Sequence, residues 1–284
     1  MHYAIYMPPG DEFSEPRVLA DLAREAEQAG WDGFFIWDHV VLGPSERVLD
    51  PWVGLAAVAM VTERIRIGTM VTPIPRRRPW KLARETTTLD HLSNGRLTLG
   101  VGIGLGAKEW DDLGEETSPK TRGEMLDEAL QVLTGLWSGE TFSFEGKYYR
   151  VKNACFLPTP VQPHIPIWVG GFWPKKAPMR RAARYDGVYP LFSVWQDPEK
   201  LAVFKEAVAF VRAQQPTAQP FDILAIGGTQ SSSDCEAVRR YEGAGATWWI
   251  EAVDPWSFGW PDSGPWPVEA MRQRVRLGPP RIAR

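Results

Sequence analysis

Short apolar runs alternate with amphipathic runs along almost the whole chain, and this alternation limits the fold more than any other feature. Tyr3–Met7, Gly33–Trp37, Ile65–Val71, Leu97–Val101, Ile167–Val169, Gly187–Pro190, Ile223–Ile226 and Thr247–Ala252 read as strands. Glu15–Ala29, Asp50–Thr62, Pro79–Leu92, Pro119–Trp137, Pro174–Arg184, Pro198–Gln214, Asp234–Glu242 and Pro267–Leu277 read as helices. In the first helix Val18, Leu19, Leu22, Ala23 and Ala26 recur at the spacing of one face. Asp50-Pro51 has the form of an N-cap followed by proline at the first helical position. Leu97-Thr98-Leu99-Gly100-Val101 is apolar at successive positions, as a strand buried on both faces should be. Eight strand–helix units in 284 residues predict an α/β chain closed into a single (β/α)8 TIM barrel, with residues 1–284 as one domain. A doubly wound sheet is the alternative, and the number of units favours closure. Thr141–Val151 breaks the rhythm after the fourth helix. Its aromatic, β-prone runs flank Glu145-Gly146, which predicts a small inserted hairpin. Leu157–Pro166 is proline-rich and reads as an extended connector.

Composition narrows the functional classes. The formal net charge is −3, which argues against nucleic-acid binding. The longest apolar stretch, Leu55–Val61, is too short to span a bilayer. No basic segment followed by a long apolar run opens the sequence. Cys155 and Cys235 are the only cysteines and lack metal-ligand spacing, so a reducing cytoplasm is expected and no metal site is. There is no His-Glu-x-x-His motif and no nucleophile elbow. Fourteen tryptophans point to aromatic-walled pockets, interfaces or plain core packing.

In a barrel the loops after the strands build the active site. Trp37-Asp38-His39 follows the second strand, where a histidine beside an aspartate suits acid–base work or a structural hydrogen bond. Thr88–Gly104, TLDHLSNGRLTLGVGIG, reads as a helix end, a stop at Asn94-Gly95, a strand and a glycine loop. Gly102 and Gly104 leave backbone bare for a flat ring or a phosphate. Gly170-Gly171, with Lys175 and Lys176 leading into a helix, suits an anion or a tight turn. Gly227-Gly228-Thr229 is a second phosphate candidate. Arg76, Arg77 and Arg78 form either an attractor for an anionic tail or a solvated cluster. Trp256, Phe258 and Trp260 suit an apolar substrate wall, an aromatic plug or a dimer contact.

Three stretches, GWDGFFIWDHV (Gly30–Val40), Thr88–Gly104 and IPIWVGG (Ile165–Gly171), resemble the bacterial luciferase-like family of flavin- and deazaflavin-dependent oxidoreductases. The resemblance covers most of Tyr3–Pro190, is strong in Asp50–Gly104 and Pro158–Asp186, and fades after Pro190. It implies a cofactor, F420 or FMN, at the C-terminal end of the barrel. It also implies hydride transfer to, or monooxygenation of, a small organic substrate. His39 would face the ring, with Asp38 bonding the ring edge or orienting the imidazole. A non-proline cis peptide is implied at Met70-Val71. Thr69, Met70, Val71, Gly102, Ile103, Gly104, Val169, Gly170 and Gly171 would line the cofactor, and Trp37, Trp173 and Trp256 the substrate. Trp195 and Trp260 are further aromatic candidates, and Lys108, Glu109 and Trp110 further lining residues. Sugar-phosphate dehydrogenases of the family carry a glutamate just after the second glycine, where this chain has Leu105, which argues against that activity. The short loops and basic mouth favour F420 over FMN, and FMN would add a separate flavin reductase as partner. Family habit implies a homodimer. The alternatives are a non-catalytic flavin-binding barrel and a cofactor-free barrel lyase or isomerase.

Overall fold

A computed structural model describes residues 1–43, 47–105, 108–194, 199–215 and 219–282. Eight parallel strands close a barrel: β1 (His2–Met7), β2 (Gly33–Ile36), β3 (Arg66–Pro73), β4 (Leu97–Gly102), β7 (Ile167–Phe172), β8 (Gly187–Leu191), β9 (Asp222–Gly227) and β10 (Trp248–Ala252), which returns to β1. The hairpin β5 (Phe142–Glu145) and β6 (Arg150–Ala154) stands apart as an antiparallel pair. The helices are α1 (Pro16–Gln28), α2 (Pro51–Val61), α3 (Pro79–Leu92), α4 (Lys108–Asp111), α5 (Pro119–Trp137), α6 (Lys176–Ala182), α7 (Glu199–Gln214), α8 (Glu236–Gly243) and α9 (Val268–Arg276). The expected (β/α)8 barrel and its inserted hairpin are both present.

Local chemistry accounts for most boundaries. Proline occupies the first turn of α1, α2, α3 and α5, where a missing N–H costs nothing. Asp50 caps α2 by accepting from Trp52 N and Val53 N, and Ser118 Oγ caps α5 by accepting from Thr121 N. Asn94 and Gly95 lie at positive φ just past α3, as the stop signal requires. Two details differ from expectation. Lys175 is extended, so α6 begins at Lys176 rather than near Pro174. The hairpin loop is Gly146–Tyr149 rather than a two-residue turn, because Glu128 of α5 accepts from Lys147 N, Tyr148 N and Tyr149 N. Trp195, and Pro198 at the expected start of α7, lie outside the described residues.

Alternation along the strands divides the core in two. Ile5, Phe34, Ile67, Leu99, Ile167, Val169, Val188 and Ile223 pack outward beneath the helices. Ala4, Phe35, Met70, Trp168, Tyr189, Leu224, Trp248 and Ile250 fill the barrel interior. Trp168 lies 5.0 Å from Phe35 and 5.1 Å from Trp248 by ring centroids. This filling makes the interior a packed floor rather than a pore, and chemistry is confined to the C-terminal end.

Candidate active site

The floor of the site is shaped by an irregularity in β3. Thr69 pairs with Leu99, but Thr72 pairs with Val101, so one extra residue is accommodated between them. Met70-Val71 is a cis, non-proline peptide. With the extra residue of the bulge, Met70 and Val71 both belong to the interior cluster, where strict alternation would allow only one of them. The glycines opposite make room for the bulge. A Cβ at Gly100 would lie 2.2 Å from the Thr69 carbonyl oxygen, one at Gly102 2.7 Å from Val71 Cγ2, and one at Gly170 3.0 Å from Val71 Cγ1. Gly104 lies at positive φ, and a side chain there would strike Trp110. Their first role is thus to accommodate protein, and the bare surface facing the cavity is a consequence.

His39 follows β2. Its Nδ1 lies 2.9 Å from Glu109 Oε2 on α4. Glu109 Oε1 accepts from Val40 N at 2.6 Å and Val41 N at 3.2 Å, and stands 3.2 Å from the Arg76 guanidinium. Burial alone would raise the Glu109 carboxyl. His39, Arg76 and the Val40 N–H outweigh burial and hold its pKa at about 2. An ionised partner at Nδ1 fixes the proton there and leaves Nε2 for the cavity. Asp38 does not orient this imidazole. Its carboxylate, 1% exposed, accepts from Thr72 Oγ1, Arg76 and Arg77. Two of the three arginines are therefore committed to Asp38 and form no basic mouth.

Above the floor opens a cavity of about 940 Å³. Trp37, Asp38, His39, Met70, Val71, Gly102, Ile103, Gly104, Gly170 and Gly171 line it as expected. The described lining leaves out four of the residues expected to line cofactor or substrate, and Lys108, Glu109 and Trp260 of the further candidates. Thr69 and Val169 sit on strand positions that face outward, Thr69 bonding Gly100 O and Thr72 and Val169 packing in the outer core. Trp173 packs against Phe210 at 5.5 Å and carries Lys176 Nζ over its ring at 3.5 Å. Trp256 is 44% exposed and reaches the site only through its stack on Trp37, 6.1 Å away. The loop after β9 is also unavailable, since Thr229 bonds Glu251 and Arg274.

Several lining residues escaped the sequence reading. Arg122 of α5 is 7% exposed, its guanidinium lies 4.1 Å over Trp110, and its Nε and Nη1 have no partner among the described residues. Burial lowers its pKa, with Glu116 pulling the other way. The available signal is a charge on a buried stripe, since Arg122 shares a helix face with Leu126, Ala129 and Leu133. Lys120 lines the same side, as does Arg181, which is paired with Asp127 at 2.7 Å, beside Lys175 and Lys176, the lysines expected near an anion. Tyr6 and Tyr189 line the interior side.

Residues 5–259 match the sequence profile of the luciferase-like monooxygenase family, and the chain belongs to that family. An uncharacterised protein of Mycobacterium tuberculosis is 36% identical over 188 residues, 60% of this chain and 65% of that protein. An F420-dependent glucose-6-phosphate dehydrogenase of Nakamurella multipartita is 36% identical over 180 residues, 60% of this chain and 50% of that one. The matches thus span about half to two thirds of these relatives. Among solved structures, an F420-dependent secondary alcohol dehydrogenase holding an F420-acetone adduct superposes with TM-score 0.74 at 20% identity, covering 89% of this chain and 94% of that one. A coenzyme F420-dependent tetrahydromethanopterin reductase from Methanopyrus kandleri gives TM-score 0.74 at 16% identity, with coverages of 97% and 96%. These structural likenesses establish the shared barrel.

Proposed function

We propose that residues 1–284 form one luciferase-like oxidoreductase domain that binds F420, or less well FMN, at the C-terminal end of the barrel and acts on a small organic substrate. One observation carries this reading. The β3 bulge at Met70-Val71, His39 with its Glu109 partner, and Arg122, whose Nε and Nη1 have no hydrogen-bond partner among the described residues, all face one 940 Å³ cavity. When bound, the cofactor supplies the redox centre, for hydride transfer or for oxygen activation. This chain's residues do the rest. Met70 and Val71 support a planar group from below. Arg122 neutralises a phosphate, and its orphaned donors are the feature that an anion would satisfy. His39 Nε2 holds or moves a proton beside the ring, with Glu109 keeping the imidazole in place. Lys120 and Lys175 continue the positive side beyond Arg122, which suits a long anionic tail and favours F420.

Titration with F420, FMN and reduced FMN, followed by tryptophan quenching, tests the reading. F420 should bind most tightly, and Arg122→Met should weaken it about tenfold or more. His39→Ala should keep binding and lose turnover. Retained turnover would leave His39 without its proposed role. Preference for reduced FMN would instead indicate oxygenation with a partner reductase. Binding of neither would leave a barrel without this chemistry.

The outward face of α2 supports a homodimer. Val53, Ala56, Ala57, Met60 and Val61 form an uncharged stripe, with Val53 61% and Met60 69% exposed. Sedimentation of Met60→Glu should show a shift toward monomer. No helix among the described residues is long and apolar enough to cross a membrane, and the two free cysteines fit a reducing cytoplasm.

A further inference from the structure

The interior side of the cavity holds two phenols that the chemistry above does not use. Tyr6 lies near the end of β1 and Tyr189 in β8, their ring centroids 6.0 Å apart and their planes at 66°. The two hydroxyls influence each other's ionisation, and neither bonds a third group among the described residues. Two phenols carry two O–H hydrogens, and a bond between them can use at most one. Both rings line the cavity, so the second hydrogen is left for its occupant. Burial raises both phenol pKa values and the Asp254 carboxylate adds to the effect, so the pair keeps that hydrogen at neutral pH.

Charge around the pair is equally informative. Every Lys or Arg among the described lining residues follows β4 or β7: Lys120, Arg122, Lys175, Lys176 and Arg181. Arg76 and Arg77, the cations near β2, are bound to Asp38. The side built by β1, β2 and β8 therefore offers one neutral donor, an imidazole, and the apolar surfaces of Trp37 and Leu191. A phosphate placed there would find no free cation among the described lining residues and would face the nearby Asp254.

We propose that the Tyr6–Tyr189 pair is the polar contact of the substrate, and that this side takes a neutral, mainly apolar compound with one acceptor oxygen, such as a ketone, aldehyde or enone, rather than a sugar phosphate. The proposal rests on the reading that the basic side holds the cofactor tail. It assigns the pair to recognition, whichever redox step follows. A buried donor left unpaired by a hydrocarbon of the same shape is what produces the selectivity.

The test uses the full-length protein without cofactor and two probes of one carbon skeleton, acetophenone and ethylbenzene. Binding is read by tryptophan quenching and by saturation-transfer NMR. The ketone should bind about fivefold to tenfold more tightly than the hydrocarbon. Tyr6→Phe and Tyr189→Phe keep the rings and should each bring that ratio toward one. The ratio is taken within each variant, so a general loss of affinity or stability does not move it. Glucose 6-phosphate, added with the basic side saturated by inorganic pyrophosphate, should leave ketone binding unchanged. Equal affinities in the parent protein, a ratio unaffected by both substitutions, or displacement by the sugar phosphate would each overturn the proposal. Failure of the redox reading shows separately, as absence of F420 and FMN binding in the cofactor titration.

Discussion

Glu109 serves four neighbours from one carboxylate: His39 Nδ1, Val40 N, Val41 N and the Arg76 guanidinium. Such a group links stability to pH. Its folded pKa of about 2 lies below the ordinary 4.5, so the folded state holds that proton more weakly than the unfolded state. The resulting stabilisation is fully present above pH 4.5 and disappears as the pH falls from there to about 2. Its size is at most about 3 kcal/mol. Glu109→Gln should therefore lower stability at neutral pH and flatten the acid side of the profile. Urea midpoints measured from pH 7 down to the acid limit decide it, and superimposable slopes for parent and variant would refute the assignment. Residue 109 also shows why the site was only partly legible. His39 and Glu109 are 70 positions apart, and no spacing rule joins them. Asp38, adjacent in sequence, looked like the natural partner of His39. It is instead turned into the protein by Arg76 and Arg77.

At the level of elements, the bulge in β3 and the glycines of β4 and β7 form one fitted unit. Gly102→Ala places a methyl 2.7 Å from Val71 Cγ2, and a β-branched neighbour on a strand has little freedom to yield. We expect a loss of about 1–3 kcal/mol together with weakened cofactor binding. Val71→Ala should restore most of the stability in the double variant, since it removes the atom that clashes. A double-mutant cycle by denaturant unfolding would show that coupling, and strict additivity would mean that the two residues do not share the space. The elements themselves were largely readable. The limits of α3 and α5 follow from proline at one end and, for α3, Asn94-Gly95 at the other, all local signals. By contrast, α4 has four residues and no periodicity to detect, yet it carries Glu109 and the buried Trp110. Thr69 and Val169 were misplaced for a related reason. A strand's location was clear, but which of its residues face inward depends on the register, and a bulge changes that register.

The closed barrel depends on joining its first and last elements, and the sequence beyond residue 259 takes part in that closure. Trp31 Nε1 donates to Val275 O at 2.9 Å, Arg276 pairs with Glu25 at 3.0 Å, and Arg281 pairs with Asp32 at 3.2 Å. At the centre of this seam Arg274, 3% exposed, stands 3.1 Å from Glu251 of β10, 1% exposed, and also bonds the Thr229 carbonyl and hydroxyl. Burial raises the Glu251 carboxyl, against the opposing pull of Arg274, Trp249 and Thr229. Arg274→Met strands a buried carboxylate and should cost about 3–5 kcal/mol at neutral pH. Because the folded pKa then lies further above the unfolded one, protonation relieves the defect, so the deficit should shrink as the pH falls toward 5. Glu109 acts with the opposite sign at lower pH, which lets the two be separated in one titration series. Adding Glu251→Gln to Arg274→Met should recover part of the loss, since an amide has no charge to leave unpaired. Calorimetry of the parent, the single variants and the double variant at neutral and mildly acidic pH is the deciding experiment. A deficit for Arg274→Met that does not depend on pH would mean that α9 holds the barrel by packing alone, with the ion pair contributing nothing to closure.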